Sequence, residues 1–164
     1  MTMRAGGESN DMLSPDFLDF IASLNERGVE FVLVGGYALG FHGVVRATGD
    51  IDFLFRPTRM NVRKLLAAMD DFGAPPEVLD EEALMTAGIV TQFGQPPYRV
   101  DLLNAIDGVR FAKVWAGATV TTIAGQELRV IGLDELRKNK MASGRKKDAE
   151  DVRRLGARRA RKTR

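Results

Sequence analysis

Val32-Leu33-Val34-Gly35-Gly36-Tyr37-Ala38-Leu39 and Asp50-Ile51-Asp52-Phe53-Leu54-Phe55 are the stretches on which the fold turns, and thirteen residues separate the glycine pair from Asp50. The first reads as an apolar strand, a glycine turn and a helix start. Glycine lets a backbone approach a phosphate closely, and free N–H groups at a helix start attract anions. A tight strand-to-helix turn that needs glycine for its dihedrals alone is the competing reading. The second stretch reads as a strand stopped by Arg56-Pro57. Side chains alternate faces along a strand, so Asp50 and Asp52 share one face and Ile51, Phe53 and Phe55 the other.

Two carboxylates on an otherwise apolar strand are costly to desolvate without compensation. A divalent cation would supply it. With oxygen donors, one histidine and no cysteine, magnesium or manganese suits the donor set better than zinc. Asp101, in Tyr98-Arg99-Val100-Asp101-Leu102-Leu103, repeats the theme on another apolar strand. If the two strands are neighbours, the three carboxylates converge. They would then repel, and one would stay protonated without metal. Two ions roughly 3.5–4 Å apart would relieve the repulsion and clamp an in-line phosphoryl displacement. Asp-x-Asp by itself is a weak pattern that also occurs in structural settings.

Working outward, Ser14-Pro15 opens a helix carrying Phe17, Leu18, Ile21 and Leu24 at helical spacing, with Gly28 at its C-terminal end. Thr58 caps a helix running to about Asp71, with Met60, Leu65, Leu66 and Met69 on its buried side. A short helix follows at Asp80 to Thr86. Ile89–Phe93 with Tyr98–Leu103, and Thr119–Ile123 with Glu127–Ile131, read as hairpins. Val109–Trp115 reads as a helical turn, with Trp115 a core residue rather than a stacking platform. Leu133–Ser143 and Lys147 to about Arg159 read as a C-terminal helical pair. Helices and strands without regular βαβ alternation give an α+β fold class with a mixed β-sheet and flanking helices.

The order of an apolar strand, Gly-Gly, Asp-x-Asp and a later strand with a third Asp resembles the DNA polymerase β-like nucleotidyltransferase superfamily. Residues 34–55, VGGYALGFHGVVRATGDIDFLF, look like its small bacterial members, including AbiEii-like toxin nucleotidyltransferases. Lys140–Val152, KMASGRKKDAEDV, looks like their C-terminal helical motif. The resemblance covers roughly Val29 to Leu155. It implies that Asp50, Asp52 and Asp101 are catalytic and hold Mg2+ (or Mn2+), and that Gly35 and Gly36 hold a nucleoside triphosphate such as ATP. Arg46 and Thr48 fall in the segment just before the first Asp. Arg46 either meets a phosphate or pairs with a surface carboxylate. Lys140 reaches the phosphates on the family reading, while Arg145/Asp148 or Lys147/Asp151 pairs would dock the last helix. His42 has no partners for a metal site and reads as a turn or helix-surface residue.

The implied activity is transfer of a nucleotide from a triphosphate to an acceptor hydroxyl of RNA or tRNA, a protein or a small molecule. A toxin–antitoxin role with a cognate protein partner is a further implication. A non-catalytic nucleotide- or RNA-binding module on the same fold is the alternative. The chain is short for a separate substrate domain, which leaves the acceptor open.

Composition sets the outer bounds. The chain has 164 residues, 45% of them apolar and 28% charged, as in ordinary globular proteins. The absence of cysteine excludes disulfides, thiolate sites and cysteine nucleophiles. No stretch approaches the ~20 apolar residues of a membrane span, and residues 1–11 lack the apolar core of a secretory signal. A cytoplasmic protein without membrane partners is the expectation. Residues 137–164 carry 13 basic and 3 acidic side chains, a balance of +10 against −8 for the rest. That asymmetry invites an anionic partner or is a solvated helix end. The expected organisation is a disordered N-terminus at 1–13, a nucleotidyltransferase domain at 14–155 and a basic tail at 156–164.

Overall fold

The computed structural model describes residues 13–45 and 49–163. Leu13 is already buried in the core; the rest of the N-terminal segment expected to be disordered lies outside the described residues.

Helix α1, Pro15–Glu26, begins where Ser14 accepts a hydrogen bond from the Phe17 N–H, with proline at its first position. It buries Phe17, Phe20, Ile21 and Leu24. The chain reverses at Gly28 (φ +71°) into strand β1, Phe31–Val34. Helix α2, Gly35–Phe41, follows without a linker, so it starts at the first glycine and not after the pair. Strand β2, Ile51–Phe55, pairs antiparallel with β1. Helix α3, Arg59–Phe72, is capped by Thr58 and ends at Gly73 in the left-handed region.

A single turn, Pro76–Val78, and helix α4, Glu81–Met85, lead to strands β3, Val90–Phe93, and β4, Val100–Leu103. Helix α5, Phe111–Gly117, precedes the hairpin of β5, Thr119–Ile123, and β6, Gln126–Val130. Helices α6, Leu133–Ser143, and α7, Lys146–Thr163, close the described chain.

The strands form one mixed sheet in the order β3-β4-β2-β1-β6-β5. The pairs β2/β4 and β1/β6 are parallel, the other pairs antiparallel. This is the α+β architecture read from the sequence. Both predicted hairpins form: β3 and β4 are slightly shorter than expected, β5 has the expected bounds and β6 starts one residue earlier. Phe20 of α1 ties the layers together, its ring 5.9 Å from Phe53 of β2, 5.4 Å from Phe93 of β3 and 5.2 Å from Phe72 of α3. Ile51, Phe53 and Phe55 are all buried, as the alternation requires.

Three expectations change. Met60 is 72% exposed, not buried. The inward stripe of α3 is Asn61, Val62, Leu65, Ala68 and Met69, so Leu66 is only partly covered. Asn61 sits there because its amide donates to the Glu30 and Arg56 carbonyls and accepts from the Glu30 N–H, pinning β1 and β2 to the helix. Helix α7 runs unbroken to Thr163, beyond Arg159, which suits its many Arg and Ala residues. Trp115 is partly buried and stacks on Phe111, with the Arg56 and Arg129 guanidinium groups over the rings. Among the described residues, no helix is long and apolar enough to cross a membrane.

Candidate active site

Register decides which side chains meet. Strands β2 and β4 run parallel with Asp52 opposite Asp101 and Ile51 opposite Val100. Both acids therefore leave the same face of neighbouring strands. Their carboxyl groups share a hydrogen bond. Burial, the adjacent Asp101 charge, that hydrogen bond and Asp50 push the Asp52 carboxyl up to about 7, with Lys140 pulling the other way.

Asp50 lies at the mouth of β2 and takes Arg99 as its neighbour, with Arg99 Nη2 2.7 Å from its Oδ2. The same guanidinium donates from Nε to Asp101 Oδ1 at 3.0 Å. Arg99 thus stands between Asp50 and Asp101. Among the described residues, no three acidic or histidine side chains close into a ready cation cage.

The glycine turn and the acids are in direct contact. Gly35 has φ +73°, and a Cβ there would lie 2.1 Å from Asp52 Oδ2. Glycine is thus required at this position for its dihedrals and for space. Helix α2 starts beside the carboxylate pair, with the unpaired N–H groups that every helix start carries.

On the far wall, α6 and α7 meet in a balanced ion cluster. Lys140 is buried and its Nζ lies 2.9 Å from Asp148 Oδ1 and 3.2 Å from Asp151 Oδ2. Asp148, fully buried, also accepts from Ser143 Oγ and, at 2.7 Å, from Arg145 Nε. Burial raises its carboxyl, but the Ser143, Lys140 and Arg145 donors outweigh burial and hold it down at about 2. The Arg145/Asp148 docking pair expected from the sequence is present. Asp151 pairs with Lys140.

These parts face one open cavity of about 600 Å³. Of the residues singled out from the sequence, Gly35, Gly36, Asp50, Asp52, Asp101 and Lys140 all line it. Arg46 and Thr48 lie outside the described residues. His42 ends α2 and contacts the Ile131 carbonyl at 2.7 Å, a structural role. Sequence reading passed over Arg99. Its position two residues before Asp101, hence on the same strand face, was the available signal. Oxygen donors on the same strand face, too crowded to be charged together, fit a divalent cation. The deep position of the Asp52–Asp101 pair strengthens that fit.

Comparison with known proteins bears on the family and the fold. The family model described as "Nucleotidyl transferase of unknown function (DUF2204)" matches residues 14–163. No curated protein matches the chain. Among solved structures, the fold is similar to TM1012 of Thermotoga maritima (TM-score 0.59, 14% identity, 87% of this chain and 93% of that one). It is also similar to the lincosamide antibiotic adenylyltransferase LnuA (0.58, 14%, 88% and 96%). The antibiotic-resistance factor ANT(2'')-Ia is a third (0.57, 18%, 85% and 80%). At these identities the likeness is one of fold.

Proposed function

Because the chain belongs to the nucleotidyl transferase family whose model spans residues 14–163, we propose that it moves a nucleotide from a nucleoside triphosphate to an acceptor hydroxyl at the Asp52–Asp101 corner. The observation that carries this reading is the pairing of Asp52 with Asp101 across two parallel strands, hard against Gly35. Asp50, Asp52 and Asp101 would hold Mg2+ (or Mn2+), which when bound neutralises charge on the phosphates and the departing pyrophosphate.

The chain's own groups do the positioning. Gly35 and Gly36 present backbone N–H groups to the triphosphate. Lys140 spends two of its three N–H donors on Asp148 and Asp151 and keeps one for a phosphate oxygen. Arg46 and Thr48 are proposed to meet the phosphates from the segment leading into Asp50. The acceptor oxygen attacks the α-phosphorus and the α–β anhydride bond breaks. Pyrophosphate leaves, and the acceptor proton passes to the carboxylate pair. Most of the rate then comes from placement and charge neutralisation.

The basic balance of residues 137–164 favours an RNA or tRNA acceptor. That choice goes with an AbiEii-like, toxin–antitoxin setting, a cytoplasmic location and a protein partner that neutralises the enzyme. On this reading residues 14–155 form the transferase domain and 156–164 extend it as a basic arm.

Incubation with labelled triphosphates, Mg2+ and a cell extract tests the reading. Wild-type protein should transfer label on the order of 10³-fold faster than Asp52→Asn or Asp101→Asn. Equal transfer by the wild type and both variants would overturn it.

A further inference from the structure

Arg99 lines the cavity and touches Asp50 and Asp101, but has no part in the transfer chemistry above. Arg99 stands beside Asp50 at the start of the β2/β4 pairing, with its carbonyl accepting from the Ile51 N–H at 2.9 Å. Asp101 stands beside Asp52 in the same register. Two parallel strands thus set a square of three carboxylates and one guanidinium on one face. The guanidinium lies 2.7 Å from Asp50 Oδ2 and 3.0 Å from Asp101 Oδ1. Those oxygens belong to two of the three side chains that would hold a cation. The Arg99 side chain is 32% exposed and lines the cavity, so it has room to move.

We infer that Arg99 is a resident counter-ion that gives up the carboxylates to the incoming cation and then takes a phosphate oxygen of the substrate. This rests on the nucleotidyl-transfer reading. With Arg99 in place, the fully ionised square carries −2; with Arg99 displaced, it carries −3 and calls for a divalent ion. The displaced guanidinium faces a cavity that Lys140 and Lys147 also line. A guanidinium there can bind phosphate oxygens in its forked geometry. Arg99 therefore opposes the metal when no phosphate is present and supports phosphate when the metal is in place. It is a positioning residue whose removal has two effects of opposite sign. A purely structural ion pair would shift stability and leave those two affinities unsplit.

Two titrations decide it. Mn2+ alone is titrated into wild type, Arg99→Gln and Arg99→Lys, with free Mn2+ followed by electron paramagnetic resonance. Inorganic tripolyphosphate is then titrated by calorimetry at saturating Mg2+. Arg99→Gln should bind Mn2+ about five- to tenfold tighter and tripolyphosphate about five- to tenfold weaker, the scale of two partly exposed ion pairs. Arg99→Lys, with one point charge, should shift both affinities in the same senses by about twofold. It carries the test if Arg99→Gln does not fold. If both affinities move together, or neither moves while Asp52→Asn still loses Mn2+, the inference falls and the transfer reading stands. If wild type and Arg99→Gln bind neither probe better than Asp52→Asn does, both fall.

Discussion

Two ion clusters face each other across the cavity, built from the same residue types to opposite ends. On the α6/α7 side, Lys140 and Arg145 balance Asp148 and Asp151, and the buried Asp148 is held down at about 2. On the β2/β4 side, the Arg99 guanidinium sits between Asp50 and Asp101, and the Asp52 carboxyl is pushed up to about 7. The first cluster is electrostatically complete and locks two helices together. The second gathers three carboxylates on one sheet face, where an outside cation can bind them. Asp52 and Asp148 are thus perturbed in opposite directions, a distinction between the two clusters that burial alone does not make, since each also holds a buried acid, Asp101 in one and Asp151 in the other.

Breaking the complete cluster should produce the largest stability change. Asp148→Ala strands the buried Lys140 with one remaining carboxylate and frees Arg145. Loss of one member of a buried pair costs ~3–5 kcal/mol, and chemical denaturation would register it as a lower midpoint. The pH dependence has a definite sign. The native Asp148 carboxyl, near 2, lies below its ordinary 3.8. Its contribution of ~2 kcal/mol is complete above pH ~4 and disappears as pH falls through ~2. Asp148→Ala should lack that acid-side loss. Wild-type acid sensitivity in the variant would mean that Asp148 is not the anchor of α7.

The contrast also explains what the sequence made legible. Alternation along Asp50–Phe55 was sufficient to put two acids on one face, and the third acid followed from its own apolar strand. Thr58 and Ser14 announced their helices because a capping oxygen is a local device. What stayed hidden depends on register or on the angle between elements. Arg99 meets Asp50 only because β2 and β4 pair in parallel with that particular offset. Lys140 meets Asp151 only through the crossing of α6 and α7. Met60 was misplaced because a polar residue, Asn61, holds a core position for its hydrogen bonds and so conceals the true phase of the apolar stripe.

Two glycines with nearly the same φ sharpen the comparison at lower energy. Gly28 and Gly35 have φ of +71° and +73°, but a Cβ at Gly28 meets nothing within 4 Å while one at Gly35 strikes Asp52. Gly28→Ala should cost about 1 kcal/mol of backbone strain and leave transfer intact. Gly35→Ala should cost about 2–3 kcal/mol, because strain is joined by displacement of the carboxylate. Transfer should fall more than tenfold with it. Equal activity in the two variants would show that Asp52 can move without consequence.

The incomplete cluster predicts a smaller effect, of opposite sign to that of Asp148. A carboxyl raised from 3.8 to about 7 binds its proton more tightly in the folded chain than in the unfolded one. Its stabilising contribution is therefore greatest below pH ~4 and falls away as pH rises through 7. After allowance for screening in an open cavity, the loss is about 2 kcal/mol. Melting temperature in the presence of a chelator should decline for wild type between pH 5 and 8, on the order of several degrees. Asp52→Asn has no such proton to lose, so its profile should be flatter and its metal-free form more stable at pH 8. Mg2+ should raise the wild-type melting temperature at pH 8, by binding the folded state alone, and leave Asp52→Asn unmoved. Parallel profiles for the two proteins would mean that the β2/β4 acids are as well compensated as those of α6/α7, and the division of labour between the two clusters would not hold.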